Sequence, residues 1–311
     1  MSASRNFGHH LAWGGVRILQ GFGAILPRRT LCGLGSLLGG AARRVSTKEM
    51  RRARRHLQIA FPELDDPEIK RLLKATMRHL GRTAAETLWL LHASAAEVDA
   101  LCEIQGQEHL FNALEKGRGA VLITGHLGNW ELFNARLGTA GIPMTVAVRE
   151  AYDERIDALA TMLRSRFGSE VVHRGRSAGN RLFEALNGNR VNGLLIDQDI
   201  RDIPGIHVPF FGQPALTPVG AAQLALKAGC PIVPAFSHRG PDGHHLAEVF
   251  PPLPHPKSGS REEQIRELTA AATASIEAQI RRYPEQWVWM HRRWRTPVGG
   301  RRKSTRAGKD A

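Results

Sequence analysis

Cysteine is scarce. Three cysteines, Cys32, Cys102 and Cys230, stand far apart in 311 residues with no C-x-x-C pair. That excludes a disulfide framework and a cysteine-built metal centre, and it suits a reducing compartment. Acid is short as well: 29 Asp and Glu face 43 Lys and Arg, a net charge of +14. Such an excess favours an anionic partner, whether nucleic acid, an acidic membrane surface or a phosphorylated lipid, although charge alone does not choose among them. Long apolar runs are missing too. The best stretch, 11–26, is broken by Arg17 and Gln20 and is rich in glycine. A spanning helix needs about 20 largely apolar residues, and a signal peptide needs a small-x-small cleavage site, which is absent. With 31–42, which follows Pro27-Arg28-Arg29, this stretch suits either interfacial helices dipping into a bilayer or an ordinary buried helical pair. There is no H-E-x-x-H, and no second His or Cys at ligand spacing, so no metal is expected.

What the chain does carry is ordered. Its length suits one large domain or two small ones. Residues 46–61 read as a basic amphipathic helix. Ser46 and Glu49 have capping-box spacing, and Met50, Ala53, Leu57, Ala60 and Phe61 share an apolar face, with Arg51, Arg52, Arg54, Arg55 and His56 on the remainder. Such a helix suits an anionic membrane surface or simply a solvated face. Asp66-Pro67 opens a long helix to about residue 91, its apolar positions recurring at three-to-four spacing from Ile69.

From Leu101 short apolar runs alternate with helical ones. Strands are predicted at 120–124, 144–148, 170–173, 191–196, 231–236 and 245–250, and helices at 129–137, 155–167, 180–186, 218–228 and 261–283. That alternation predicts an α/β fold, a mostly parallel or mixed central sheet flanked by helices. The organisation expected is an N-terminal membrane-associating segment 1–45, a helical layer 46–100, an α/β core 101–295 and a disordered basic tail 296–311.

The chemistry concentrates at residues 120–134, where four apolar or β-branched residues end in Gly125-His126-Leu127-Gly128-Asn129-Trp130-Glu131. In an open α/β sheet, ligands bind at the carboxyl ends of strands. If His126 lies in the turn and Glu131 in the first helical turn, the carboxylate can fold back onto the ring, fix its tautomer and make the histidine a general base. Asn129 is a plausible cap, and the helix start offers amide donors for an oxyanion. A structural histidine is the plain alternative. Arg149 and Asp197-Gln198-Asp199 end other strands at the same edge, where a carboxylate can equally be a turn former. Thr217-Pro218 reads as a helix cap followed by Pro at N1. Trp287, Trp289 and Trp294 lie among four cations, either at a membrane interface or in a folded cap with cation–π pairs.

Together and in this order, His126-Leu127-Gly128-Asn129-Trp130-Glu131, Asp197-Gln198-Asp199, Val208-Pro209-Phe210-Phe211-Gly212 and the 284–294 segment resemble the lipid A biosynthesis acyltransferase family, the late lauroyl and myristoyl transferases of the bacterial inner membrane. The resemblance runs from about residue 11 to 295. It implies a glycerolipid-acyltransferase-like fold with an N-terminal helical layer associated with the cytoplasmic face of the inner membrane. It implies that His126 deprotonates an acceptor hydroxyl while Glu131 holds the imidazole, with an acyl carrier protein or coenzyme A thioester as co-substrate and no other cofactor. Arg149, Arg164, Asp197 and Asn129 are expected to bind substrate, Asp197 fixing an arginine. Trp130, Phe133, Phe210 and Phe211 are candidates for an acyl groove. The expected acceptor is an anionic lipid A precursor; a lysophospholipid or a phosphatidylinositol mannoside-type glycolipid needs the same chemistry. A basic nucleic-acid binder is the remote alternative, disfavoured because the aromatics cluster with apolar residues and no binding motif appears.

Overall fold

A computed structural model describes residues 3–151, 153–200 and 202–299, with side chains from residue 13. All but the first four residues of the predicted tail lie outside it. The chain begins with five helices: α1 (Ala3–Ile25), α2 (Arg28–Ala42), α3 (Thr47–Ala60), α4 (Asp66–Leu90) and α5 (Ala95–Leu101). The core follows as β1 (Cys102–Gln105), α6 (Glu108–Leu114), β2 (Ala120–Thr124), α7 (Trp130–Thr139), β3 (Met144–Val148), α8 (Glu154–Arg166), β4 (Glu170–His173), α9 (Ala178–Asn187) and β5 (Val191–Leu195). Then come β6 (Gly205–Phe210), β7 (Gln213–Pro218), α10 (Gly220–Ala228), β8 (Ile232–Arg239), β9 (His245–Val249), α11 (Arg261–Arg282) and a 3-10 turn, Pro284–Gln286.

Seven strands form one sheet in the order β1-β9-β8-β2-β5-β3-β4, parallel except where β8 meets β9. β2 is buried along its whole length, which accounts for its unbroken apolar sequence. The register that matters is Thr124 opposite Leu195. Because β2 and β5 are parallel neighbours, the residues two beyond each, His126 and Asp197, emerge side by side at the sheet's carboxyl edge.

Several expectations change. β1, β6, β7, α5 and α6 were not anticipated, being short or interrupted by Pro and polar residues. Thr217 and Pro218 close the β6–β7 hairpin strand and do not start a helix; α10 begins at Gly220. Ser46 makes no side-chain cap to α3. His56 sits on the buried side of α3, where its Nδ1 lies 2.9 Å from the Trp289 carbonyl. α4 is capped by Asp65 in a reciprocal capping box with Glu68. Its buried stripe includes Thr76, His79, Thr83 and Glu86 at steps of three and four, so much of what it turns inward is polar.

α2 crosses α4 so tightly that a Cβ on Gly81 would overlap the Gly35 carbonyl. The N-terminal layer is therefore a packed helical pair on one side. On the other it exposes Ile18, Phe22, Ile25, Leu34, Leu37 and Leu38. Among the described residues, no helix is long and apolar enough to cross a membrane. At the far end, Thr296, predicted to begin the loose tail, is buried and donates from its N–H and hydroxyl to Asp199 at 2.7 and 3.0 Å.

Candidate active site

The histidine turn is clamped from three sides. Asn129 caps α7, its Oδ1 accepting from Leu132 N–H at 3.2 Å. Its amide donates to Glu86 at 2.9 Å, and His79 Nε2 lies 3.1 Å from the Gly128 carbonyl. From the third side comes the 284–294 segment. Leu127 and Trp287 form a β-bridge, Gly128 N–H donates to Gln286 at 3.1 Å, and Val288 N–H donates to the His126 carbonyl at 3.2 Å. Gly128 adopts φ +63°, and a Cβ there would overlap the Ser237 carbonyl, so the position suits only glycine.

Within this clamp the imidazole meets Asp197. His126 Nδ1 lies 2.8 Å from Asp197 Oδ1, and the His126 backbone N–H donates to Oδ2 at 2.7 Å. Trp287 Nε1–H also donates to Oδ2, at 2.8 Å. Burial by itself would raise the Asp197 pKa. The opposing charge and hydrogen bond of His126 outweigh it and hold the carboxyl far below the ordinary range. Asp197 is therefore an anion at neutral pH. It holds the Nδ1–H tautomer, leaving the Nε2 lone pair of a one-fifth-exposed ring free to accept a proton.

This corrects the expected pairing. Glu131 does not hold the ring. Its two oxygens take a bidentate pair from Arg164, Nε to Oε2 at 3.0 Å and Nη2 to Oε1 at 2.5 Å. The arginine expected to pair with Asp197 pairs with Glu131, and the acid expected to fix an arginine fixes the histidine. The physical reason is positional. Nδ1 is already taken by the neighbouring strand, while the first turn of α7 aims Glu131 toward α8.

The remaining candidates divide. Trp130 stays at the site, edge-on to His126 with ring centroids 5.1 Å apart. Arg149 lines a cavity of about 650 Å³ with Gln198, Arg174 and His291. Asn129 is wholly buried and committed to Glu86 and the helix cap. Phe133, Phe210 and Phe211 are core residues. Phe211 and Gly212, both at positive φ, turn the β6–β7 hairpin. Packing against Phe61, Trp289 and the Arg281 guanidinium covers the Phe211 ring. The tryptophan-rich segment is a folded cap: Trp287 and Trp289 are fully buried, and Arg293 lies 4.6 Å over Phe210.

Sequence reasoning missed His291 and Gln198. The His291 ring stands 4.6 Å from that of His126, and the Gln198 amide nitrogen lies 3.2 Å from ring nitrogens of both. Burial, then the nearby His126, push the His291 pKa down to about 4, so it is neutral at pH 7. His126, Asp197 and His291 offer donor atoms within 4.8 Å of one another, close enough to share a metal ion. Both Asp197 oxygens are already satisfied by hydrogen bonds, so the chemistry available without a metal is a histidine–aspartate base. Sequence spacing could not have signalled His291, 165 positions beyond His126.

Two further cavities flank this one. An apolar cavity of about 440 Å³ is walled by Leu194, Ile196, Ile200, Ile203 and Leu224, and it shares Arg174, Gly175, Ile200 and Ile203 with the cavity lined by Gln198 and His291. On the other side, about 470 Å³ lies between α3 and the 291–295 segment, sharing Arg292 and Arg295 with the Gln198 and His291 cavity.

The structure thus sets a histidine–aspartate pair at the strand ends of a mostly parallel sheet, near an apolar cavity. Comparison with known sequences makes the class specific: residues 2–296 match the model of the bacterial lipid A biosynthesis acyltransferase family, and the chain belongs to it. It is similar to the lipid A biosynthesis lauroyltransferase of Escherichia coli K12, at 26% identity covering 93% of each chain. It is similar to the palmitoleoyltransferase of the same organism, at 26% over 95% of this chain and 96% of the relative. It is also 27% identical to the phosphatidylinositol mannoside acyltransferase of Mycolicibacterium smegmatis, over 85% of this chain and 84% of the relative. The protein is an acyltransferase, and the basic nucleic-acid-binding alternative is set aside.

Proposed function

We propose that this enzyme transfers a fatty acyl chain from a thioester, carried by acyl carrier protein or coenzyme A, to a hydroxyl of a lipid A precursor. The observation that carries the mechanism is the His126 Nδ1 to Asp197 Oδ1 contact of 2.8 Å at the carboxyl ends of adjacent parallel strands. His126 Nε2 takes the proton of the acceptor hydroxyl. The oxygen attacks the thioester carbonyl, the tetrahedral intermediate collapses with cleavage of the C–S bond, and the thiolate leaving group takes the proton back from the imidazolium. No covalent acyl-enzyme forms. The Gln198 amide, beside both histidines, is placed to donate to the oxyanion.

The apolar cavity takes the acyl chain; its size and lining fit a small-molecule site. Arg149 and Arg174 supply positive charge for an anionic acceptor. The exposed apolar residues of α1 and α2 rest on the cytoplasmic face of the inner membrane, lying on the bilayer and not crossing it. A phosphatidylinositol mannoside acceptor is the second reading, favoured by the mycobacterial relative.

Lipid mass spectrometry of a deletion strain tests the assignment. Loss of one acyl chain from lipid A, restored by the wild-type gene and not by His126→Ala, is the expected result. An unchanged lipid A would overturn the acceptor.

A further inference from the structure

Many arginines of this chain are paired with acids. Arg28 and Arg239 meet Glu86, Arg54 meets Asp66, Arg164 meets Glu131 and Arg281 meets Glu277. The cavity between α3 and the 291–295 segment breaks that habit. Five arginines line it, Arg51, Arg52, Arg55, Arg292 and Arg295, and no carboxylate does. Arg52 is anchored to the Met290 carbonyl at 3.0 Å and Arg295 to Asp199. Among the described residues, the side chains of Arg51, Arg55 and Arg292 make no hydrogen bond or ion pair. Holding like charges together without counter-charge is unfavourable, so a folded chain that does it is set up for an anion. Guanidinium groups suit phosphate in particular, through paired, planar donors.

The order of the cavities says which anion. The apolar cavity shares Arg174, Gly175, Ile200 and Ile203 with the Gln198 and His291 cavity, which in turn shares Arg292 and Arg295 with the arginine cavity. A thioester donor has the same order along its length: hydrocarbon, thioester carbonyl, pantetheine arm, phosphate. We propose that the Arg51, Arg55 and Arg292 cavity binds the phosphate end of the donor's pantetheine arm, so that the donor lies across the sheet edge with its acyl chain on the opposite side of His126. This rests on the thioester-donor reading above. Coenzyme A and acyl carrier protein share that phosphate, and the experiment separates them.

The triple variant Arg51→Gln/Arg55→Gln/Arg292→Gln is compared with a charge-matched control, Arg71→Gln/Lys74→Gln/Arg78→Gln, on an exposed stripe of α4 that lines a separate cavity. Binding of the S-dodecyl thioether of coenzyme A, which cannot transfer its chain, is measured by calorimetry on the full-length enzyme. KM values for lauroyl-carrier protein and for the glycolipid acceptor are measured alongside. The expected result is at least a tenfold loss of thioether affinity or a tenfold rise in carrier-protein KM, with the acceptor KM within twofold of wild type. Which donor is weakened identifies the phosphate bound. Unchanged affinity and KM for both donors overturns the proposal. So does a rise confined to the acceptor, or an equal loss in the control. If the triple variant does not fold, Arg51→Gln and Arg55→Gln, on exposed positions of α3, are expected to lose about threefold each. Thioether binding needs no turnover, so a wild-type enzyme that binds the analogue but acylates no glycolipid would sink the acceptor assignment and leave this site standing.

Discussion

Asp197 and Glu86 are both buried carboxylates next to a histidine, yet they sit in opposite surroundings. Glu86 is sealed. Arg239 pairs with it twice at 2.8 Å, Arg28 reaches it at 2.8 Å, His245 at 2.9 Å and the Asn129 amide at 2.9 Å. Burial would raise its pKa, but His245 and Arg239 hold it well below the ordinary range. All its partners but Arg28 are enclosed, and the cluster ties α2, α4, β8 and β9 to the cap of α7. Asp197 has fewer partners, and the chief one, His126, is one-fifth exposed and lies beside Gln198 and His291, which line a cavity. The same pairing of acid and imidazole is shut away at Glu86, where the His245 ring is fully buried, and partly open at Asp197, where the His126 ring reaches the surface.

That contrast can be broken in four ways, taken from the largest expected effect downward. His126→Ala and Asp197→Asn should each cut kcat by about 10²–10⁴, the range for loss of a general base or its tautomer-fixing partner. Steady-state acyl transfer measures this, and a fall for only one of the two would dissolve the pair. Glu86→Ala should instead cost stability, about 3–5 kcal/mol, because it strands buried Arg239 without counter-charge and His245 without its partner. Urea titration reads it, and unchanged stability would mean the cluster ties nothing together. Glu131→Gln should fall between the two kinds of effect. Losing the bidentate hold on Arg164 misplaces a neighbour of the site and lowers kcat on the order of 10²-fold. If Glu131→Gln were as damaging as His126→Ala while Asp197→Asn were mild, the roles drawn from the geometry would be reversed.

Acid should act on both regions at once. His79 beside the Glu86 cluster has its pKa lowered to about 3 by burial, and His56 and His291 are lowered to about 4, burial again being the main cause. Unfolded histidines take up protons near pH 6.5, before the folded ones do. Their contribution to stability is complete above pH 6.5 and is lost as the pH falls toward 4 and then 3, at about 1.4 kcal/mol per pH unit for each proton. Asp197, shifted the same way from its ordinary 3.8, contributes fully above that value and loses its share only in stronger acid. Thermal melts from pH 7 to 4 should fall steadily, and His79→Asn should flatten the slope. A flat wild-type profile would contradict the burial of these rings.

The six predicted strands all form, as do the helices between them, because hydrophobic period and length survive packing. The strands that escaped notice are short or lie in a hairpin whose Phe211-Gly212 turn lacks the usual Asn-Gly signal. The polar stripe of α4 was illegible for a different reason. Thr76, His79, Thr83 and Glu86 read as a solvated face until the histidine turn and Arg239 are packed against them. Trp287 misled for the same cause: tryptophan among arginines fits a membrane interface and a cap equally well, and only its bond to Asp197 distinguishes them.

What the sequence determined by itself was local: a buried strand, a glycine-flanked turn presenting His126, a cap at Asn129 and a helix carrying Glu131 one turn on. Which acid meets the imidazole was decided by tertiary structure alone. That choice depends on β5 lying beside β2 with Thr124 opposite Leu195, a pairing between residues some 70 positions apart that hydrophobic pattern does not encode. Once the neighbouring strand delivers Asp197 to Nδ1, the turn of α7 leaves Glu131 to Arg164.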